Sequence, residues 1–257
     1  MNKVYFSIVS EFPKNVIMSQ VVEYLELMGK QGINFNLLFF IRVGAFLKGR
    51  KEIPGFRQRI AAKIKIRPKF IPVWRDSDGI SIYIAALYLC FRFFKYRSAE
   101  KIIIHSRGLF GCRAAVICGK IYKNISFIYD IRGDVAAEYL YYAKQKGITE
   151  KEIKRELIRE KAIQTAIGRQ AEKVFTVSEV LKRRMIDDYN YDSEKIIVIP
   201  CLADSNIFCF SRRLRDEFRK KLDVSDKYVI VYPGAIGYWH YSDTVFQTAG
   251  GILSQFP

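Results

Sequence analysis

The strongest constraint on how this chain folds is an alternation. Short apolar runs recur along it, separated by segments long enough and periodic enough to be helices. Residues 3–9, 34–41, 101–105, 126–129, 173–177, 195–199 and 228–232 read as strands. Strands joined by crossover helices belong to a parallel sheet covered on both faces. The expected class is therefore α/β, a Rossmann-like doubly wound parallel sheet, followed by the first strand and helix of a second Rossmann-like domain. On this reading 1–204 is the first domain, the Arg-, Lys- and Asp-rich 205–227 is a linker, and 228–257 starts an incomplete second domain. Ligands of such sheets bind beyond the carboxyl ends of the strands.

Helix signals agree. A helix is expected over 19–30, ending near Gly32. Thr149 and Glu152 have capping-box spacing and open a long charged helix reaching about Ala171. Ser178 is placed to cap another, with Val180, Leu181, Met185 and Ile186 turned inward.

Charge narrows the partners. The 257 residues hold 43 Lys plus Arg against 26 Asp plus Glu, a net +17. Such an excess suits nucleic acid, a phosphate-bearing ligand or an acidic membrane surface. Between Arg42 and Lys69 lie ten cations and one acid, Glu52, with Ile53, Phe56, Ile60, Ile64 and Ile66 interleaved. Two readings compete for this stretch: a solvated helix face, or a basic amphipathic surface for anionic lipid. The run Ile80 to Leu89, followed by Arg92, Lys95 and Arg97, reads as a buried helix whose end snorkels. Helix-turn-helix, RNP and zinc-finger signatures are lacking, so nucleic acid is set aside.

Other classes drop out on similar grounds. No stretch reaches the roughly 18 apolar residues of a spanning helix, and the N-terminal apolar run meets Glu11 too early for a signal peptide. Five cysteines without a C-x-x-C pair suit a reducing cytoplasm. With only His105 and His240, a histidine-rich metal site is excluded, and no metal or cofactor is implied. Dinucleotide, P-loop and G-x-S-x-G hydrolase motifs are missing. Asp76-Ser77-Asp78 has the D-x-D form of metal-dependent transferases, but Gly79 and a helical apolar run follow, so it reads as a turn and N-cap.

Four segments each follow an expected strand: Ser10-Glu11-Phe12-Pro13, His105-Ser106-Arg107-Gly108, Asp130-Ile131-Arg132-Gly133-Asp134 with Glu138, and Ser178-Glu179. A doubly wound sheet gathers all four at its carboxyl edge. There, polar groups suit sugar hydroxyls, and Arg107 and Arg132 suit a phosphate. Each also has a plain structural reading: Ser178 as a cap, His105 as a core histidine, Asp130 with Arg132 as a local ion pair.

In order and spacing, His105-x-Arg107, Asp130-x-Arg132-Gly133 with Glu138, Val177-Ser178-Glu179, and Ile199-Pro200 with Asp204 and Phe208 resemble the N-terminal half of family 4 glycosyltransferases. That resemblance covers roughly residues 1–240. It implies the GT-B fold and retaining, metal-independent transfer of a hexosyl group from a nucleotide-sugar. The acceptor would be a saccharide or lipid-linked molecule of bacterial surface polysaccharide synthesis, met at the inner face of the cytoplasmic membrane. It further implies Asp130 as the catalytic-position residue, His105, Arg107, Arg132 and Glu138 as substrate contacts, and Gly234 and Gly237 as donor-phosphate contacts. Arg42 to Lys69 would face the anionic membrane.

The chain departs from that pattern in three places. Ser10 to Pro13 stands where relatives carry glycines, Asp130 where many carry histidine, and Cys201 where asparagine is common. Only 30 residues run from Tyr228 to Pro257, whereas a complete Rossmann-like half needs on the order of a hundred. Glu152 and Glu160 have the family's Glu-x7-Glu spacing but lie on the charged helix of the first domain, and read as a solvated face. The expectation is an acceptor-side fragment inactive alone. The alternative is a non-catalytic membrane- or saccharide-binding module.

Overall fold

A run of apolar residues becomes a strand only where a neighbour satisfies its backbone and both faces find cover. The computed structural model describes residues 3–13, 15–74, 79–201, 205, 208–233 and 242–255. Its strands are β1 Lys3–Val9, β2 Phe35–Arg42, β3 Lys69–Val73, β4 Lys101–Arg107, β5 Ile125–Ile131, β6 Lys173–Thr176 and β7 Ile196–Val198. They form one seven-stranded sheet in the order β3-β2-β1-β4-β5-β6-β7. Every neighbouring pair is parallel. This is the α/β, all-parallel class that the alternation implies.

The connections are helical. Asn15–Ile17 (α1), a π-helical turn Met18–Val22 and Glu23–Lys30 (α2) join β1 to β2. Val43–Gly49 (α3) and Ile53–Ile64 (α4) precede β3, and Gly79–Phe94 (α5) crosses to β4. Leu109–Gly119 (α6), Val135–Gln145 (α7), Glu150–Gln170 (α8) and Glu179–Tyr189 (α9) complete the unit. Two cores result, one per sheet face. Leu37, Phe39 and Ile41 pack with Ile17, Val22, Leu25 and Ile60. Leu38 and Phe40 face the other way, with Ile82, Leu89, Phe93, Ala114, Ile167 and Met185.

Local chemistry sets the helix ends. Thr149 accepts from the Glu152 amide while Glu152 reaches back to the Thr149 amide, a complete capping box. Ser178 accepts from the Leu181 amide at 3.1 Å. Leu181 and Met185 are buried as expected and Ile186 packs against the core, but Val180 is 77% exposed: it starts on the outer side of α9. Gly111 in α6 lets that helix press on the sheet, because a Cβ there would meet Ser106 Oγ and lie 2.7 Å from Ile8 Cγ2.

The basic stretch differs most from expectation. Arg42 to Lys69 contains α3 and α4 and ends at β3, a strand the charge pattern hides. Pro72 fits because β3 is an edge strand, where a missing N–H costs no ladder bond. Ile53, Phe56 and Ile60 are buried in the domain, so the apolar half of this stretch belongs to the core. What remains outside is mostly charge, with Leu47 exposed among it, and part of the charge is paired: Lys63 Nζ sits 3.0 Å from Glu23 and 3.7 Å from Glu26.

The chain divides into two compact units, Met1–Leu202 and Ala203–Pro257. In the second, the described helices are Arg212–Lys221 (α10) and Ser242–Gln255 (α11). The segment expected as a strand at 228–232 makes no ladder among the described residues, since no neighbouring strand is there to take its hydrogen bonds. None of the described residues of this unit is buried.

Candidate functional site

The strand order places β1 beside β4, where the helices change from one face of the sheet to the other. A crevice opens at the carboxyl ends of strands at such a switch point. Register then aligns the polar groups. Val9 pairs with Arg107, Arg107 with Asp130 and Asp130 with Phe175, so this row shares one face. His105 lies two residues before Arg107, on the same face. Polar side chains thus replace the core at the last rows of one side of the sheet.

Asp130 is the centre of the row and is 3% exposed. Its Oδ2 lies 3.3 Å from His105 Nε2 and accepts from Arg132 Nη2 at 3.1 Å, while Arg132 Nε is 2.9 Å from Oδ1. Burial pushes this carboxyl upward, but His105 and Arg132 more than offset it and hold it below the usual carboxylate range. Asp130 is therefore an ionised, fixed acceptor. The His105 ring is wedged edge-on between Tyr24 (5.5 Å) and Phe175 (5.7 Å). Burial, then the charge of Asp130, pushes the Tyr24 phenol up against the opposing pull of Arg132.

Arg107 shares the row but turns elsewhere. Its Nε donates to Glu11 at 3.3 Å and its Nη1 to Gln20 at 2.8 Å. Gln20 is carried by the π-helical turn. Arg107 also lines a cleft of about 310 Å³ with Arg42, Arg113, Glu11, Glu156 and Glu160, roofed by Tyr139 and Phe110. Two larger grooves run along α7 and α8 between Leu140 and Leu157. One is lined mainly by aliphatic side chains, the other also by Tyr141, Lys161, Arg184, Asp188 and Tyr189, and neither contains any of the expected site residues.

Glu138 stands on the first turn of α7. Burial, then the charges of Asp134 and Glu11, raises its carboxyl above the ordinary range. Gly133 leaves it room, since a Cβ there would meet Glu138 Oε1. Asp134 has a scaffold role: Oδ1 accepts from the Ala136 and Ala137 amides and from Tyr189 OH at 2.8 Å, and Oδ2 pairs with Arg184.

The structure thus unites His105, Asp130 and Arg132 in one cluster, Asp130 ion-paired with Arg132 and 3.3 Å from His105 Nε2, with Arg107 beside it on the same face. Gly234, Gly237, Asp204 and Asp76 to Asp78 lie outside the described residues. Glu179 is exposed beyond the Ser178 cap. One expectation is corrected. Glu160 is no solvated residue but a half-buried cleft residue, its carboxyl pushed up by burial despite neighbouring Arg159. Arg42, Arg113, Tyr139 and Glu156 are further cleft residues that motif reading missed. Glu160 had a signal: it shares a 4-3-4-3 spaced stripe with Ile153, Leu157, Gln164 and Ile167, of which Ile153, Gln164 and Ile167 are buried. Among the described residues there is no group of three or more potential metal ligands. No helix among them is long and apolar enough to cross a membrane.

No protein-family model matches this chain, and no curated protein matches it in sequence. Solved structures do. A glycosyltransferase from Rickettsia africae aligns with 93% of the chain at 15% identity and TM-score 0.59, using 55% of its own length. The Anabaena protein Alr3699/HepE in complex with UDP aligns with all of it at 13% identity and TM-score 0.65, using 58% of its length. Its complex with UDP-glucose gives 13% and 0.62 over the same share. The chain spans a little over half the length of these structures. At such identities the likeness is one of fold: this chain has the architecture of one half of a GT-B glycosyltransferase.

Proposed function

We propose that Met1–Leu202 is the acceptor-side half of a glycosyltransferase that moves a hexosyl group from a nucleotide-sugar to a saccharide or lipid-linked acceptor. The observation that carries this reading is the His105–Asp130–Arg132 cluster at the carboxyl ends of β4 and β5, beside the switch point of a GT-B-like sheet. Fold alone selects no chemistry, so the site must carry the argument.

In this reading Asp130 acts catalytically by position: held ionised, it accepts a hydrogen bond from an acceptor hydroxyl and orients it. Arg132 is fixed as a donor beside it with the His105 ring held 3.3 Å away, and Arg107 with Glu138 flanks the sugar. Stabilising the departing nucleotide phosphate needs further cations or amides. Gly234 and Gly237 are the proposed contributors from this chain, and the rest would come from a donor half.

UDP-glucose is the first donor to test, given the Anabaena complex. The 257-residue chain is expected to bind saccharide acceptors but to transfer no labelled glucose alone, and to do so when a donor half is supplied. Arg132→Ala should then abolish acceptor binding. Undiminished saccharide binding by Arg132→Ala would remove the site. Saccharide binding with no transfer in either format would leave the non-catalytic binding module instead.

A further inference from the structure

Helix α5 is apolar on both sides. Its inner side, Ile82, Ala85, Ala86, Leu89 and Phe93, is buried on the sheet. Its outer side is not covered. Ile80 is 75% exposed, Leu87 72% and Phe91 79%, and Tyr83, Ile84 and Phe94 are exposed between them. These positions follow helical spacing, so they form one continuous stripe along the helix. Soluble surfaces rarely leave an apolar patch of this kind without a partner.

The charge around the stripe says what the partner is. From Gly79 to Ala99 the chain has three cations, Arg92, Lys95 and Arg97, and no acid. Among the described residues none of the three pairs with a carboxylate. Arg97 instead lies over the Phe94 ring at 4.3 Å, and Lys95 over Tyr96 at 5.5 Å. Cations resting on aromatic rings at the end of an apolar stripe are arranged as they are at a lipid interface, stems in the apolar layer and charges at the headgroups. With 16 residues, α5 is too short to span a bilayer and already spends one face on the sheet.

We infer that α5 is a membrane-docking face: the stripe lies in the headgroup boundary of an anionic bilayer, anchored by Arg92, Lys95 and Arg97. This surface is independent of the transfer reaction proposed above. It also differs from the basic α4. Ile60 of α4 packs on one face of the sheet and Ile82 of α5 on the other, so the two helices look outward in opposite directions.

The test is co-sedimentation of the purified chain with vesicles of phosphatidylglycerol and phosphatidylcholine, against phosphatidylcholine alone. Binding is expected only to the anionic vesicles. The double variant Ile84→Glu/Leu87→Glu should weaken it at least about tenfold. The triple variant Arg92→Gln/Lys95→Gln/Arg97→Gln should weaken it about a hundredfold at low salt. Ile84 and Leu87 lie on the outer side of the helix, Lys95 and Arg97 are exposed just beyond its end, and Arg92 is part-buried with its Nε enclosed; unchanged circular-dichroism melting confirms that the variants fold. Arg57→Gln/Arg59→Gln on α4 is the control and should change binding little. Loss of binding in that control, with the α5 variants unaffected, overturns the inference. So does the absence of vesicle binding. Concentration-dependent dimerisation abolished by Leu87→Glu would assign the stripe to a second copy and likewise overturn it.

Discussion

Replacing Asp130 by Asn tests the electrostatic account of the site most directly. The substitution keeps shape and removes one negative charge from a position that is almost fully buried. Breaking a fully buried pair by removing one partner costs about 3–5 kcal/mol, because the surviving charge is stranded. Here the Arg132 side chain is 25% exposed and regains water when it turns, so the expected loss at pH 7 is nearer 2 kcal/mol. For a unit of this size that lowers Tm by about 4–8 °C. The pH dependence is the sharper part. The carboxyl of Asp130 is held below its ordinary range in the folded state, so its stabilisation is present above the unfolded value and lost as pH falls through the folded one. Urea unfolding of wild type and Asp130→Asn should therefore show a constant gap from pH 7 to about pH 5, narrowing below about pH 4. Asp130→Asn as stable as wild type at pH 7 would refute the charged cluster. A gap that persists unchanged into acid would show that packing, not charge, was lost.

Three further outcomes follow from the same geometry. Gly111→Ala should cost about 1–3 kcal/mol in denaturant unfolding, since the new methyl presses on Ser106 and Ile8 and α6 must shift. Asp134→Ala removes the cap of α7, the acceptor for Tyr189 and the partner of Arg184; a loss of about 3 kcal/mol is expected, with Tyr189→Phe costing about 1. Burial raises the Glu160 carboxyl, so its charge is a cost to folding that is present above the folded value and vanishes as pH falls through the ordinary carboxylate range. Glu160→Gln should accordingly stabilise by up to about 1 kcal/mol at pH 7–8 and by nothing below about pH 4.

Sequence reading found six of the seven strands because a parallel strand covered on both faces is a nearly unbroken apolar run. It missed β3, where Lys69 begins the strand, Pro72 interrupts it and nine cations from Arg42 to Arg67 precede it. An edge strand borrows its stability from one neighbour, so its own residues need not advertise it. The row of His105, Arg107 and Asp130 was legible for a related reason: polar residues ending apolar runs stand out. The pairing among them was not, because whether Arg107 turns toward Glu11 or toward Asp130 depends on which helix carries Gln20 to it. Arg42, Arg113 and Tyr139 were invisible as site residues because they come from elements that meet only in the folded sheet. The apolar run of α5 reads in sequence as a buried helix whose end snorkels; its exposed outer side shows only once the sheet is in place to define an inner one.

The strand order also governs how the chain must be made. β1 sits between β2 and β4, and Lys3 finds its β4 partner in Lys101, roughly 100 residues later in the chain. At synthesis rates of about 5–20 residues per second, the apolar edge of β1 waits on the order of 5–20 s before that partner exists. During this interval the nascent domain has an open sheet edge at what will become its centre. Early pairing with β2 and the cover of α2 guard only one side, and the other is left to whatever shields an emerging chain at the ribosome.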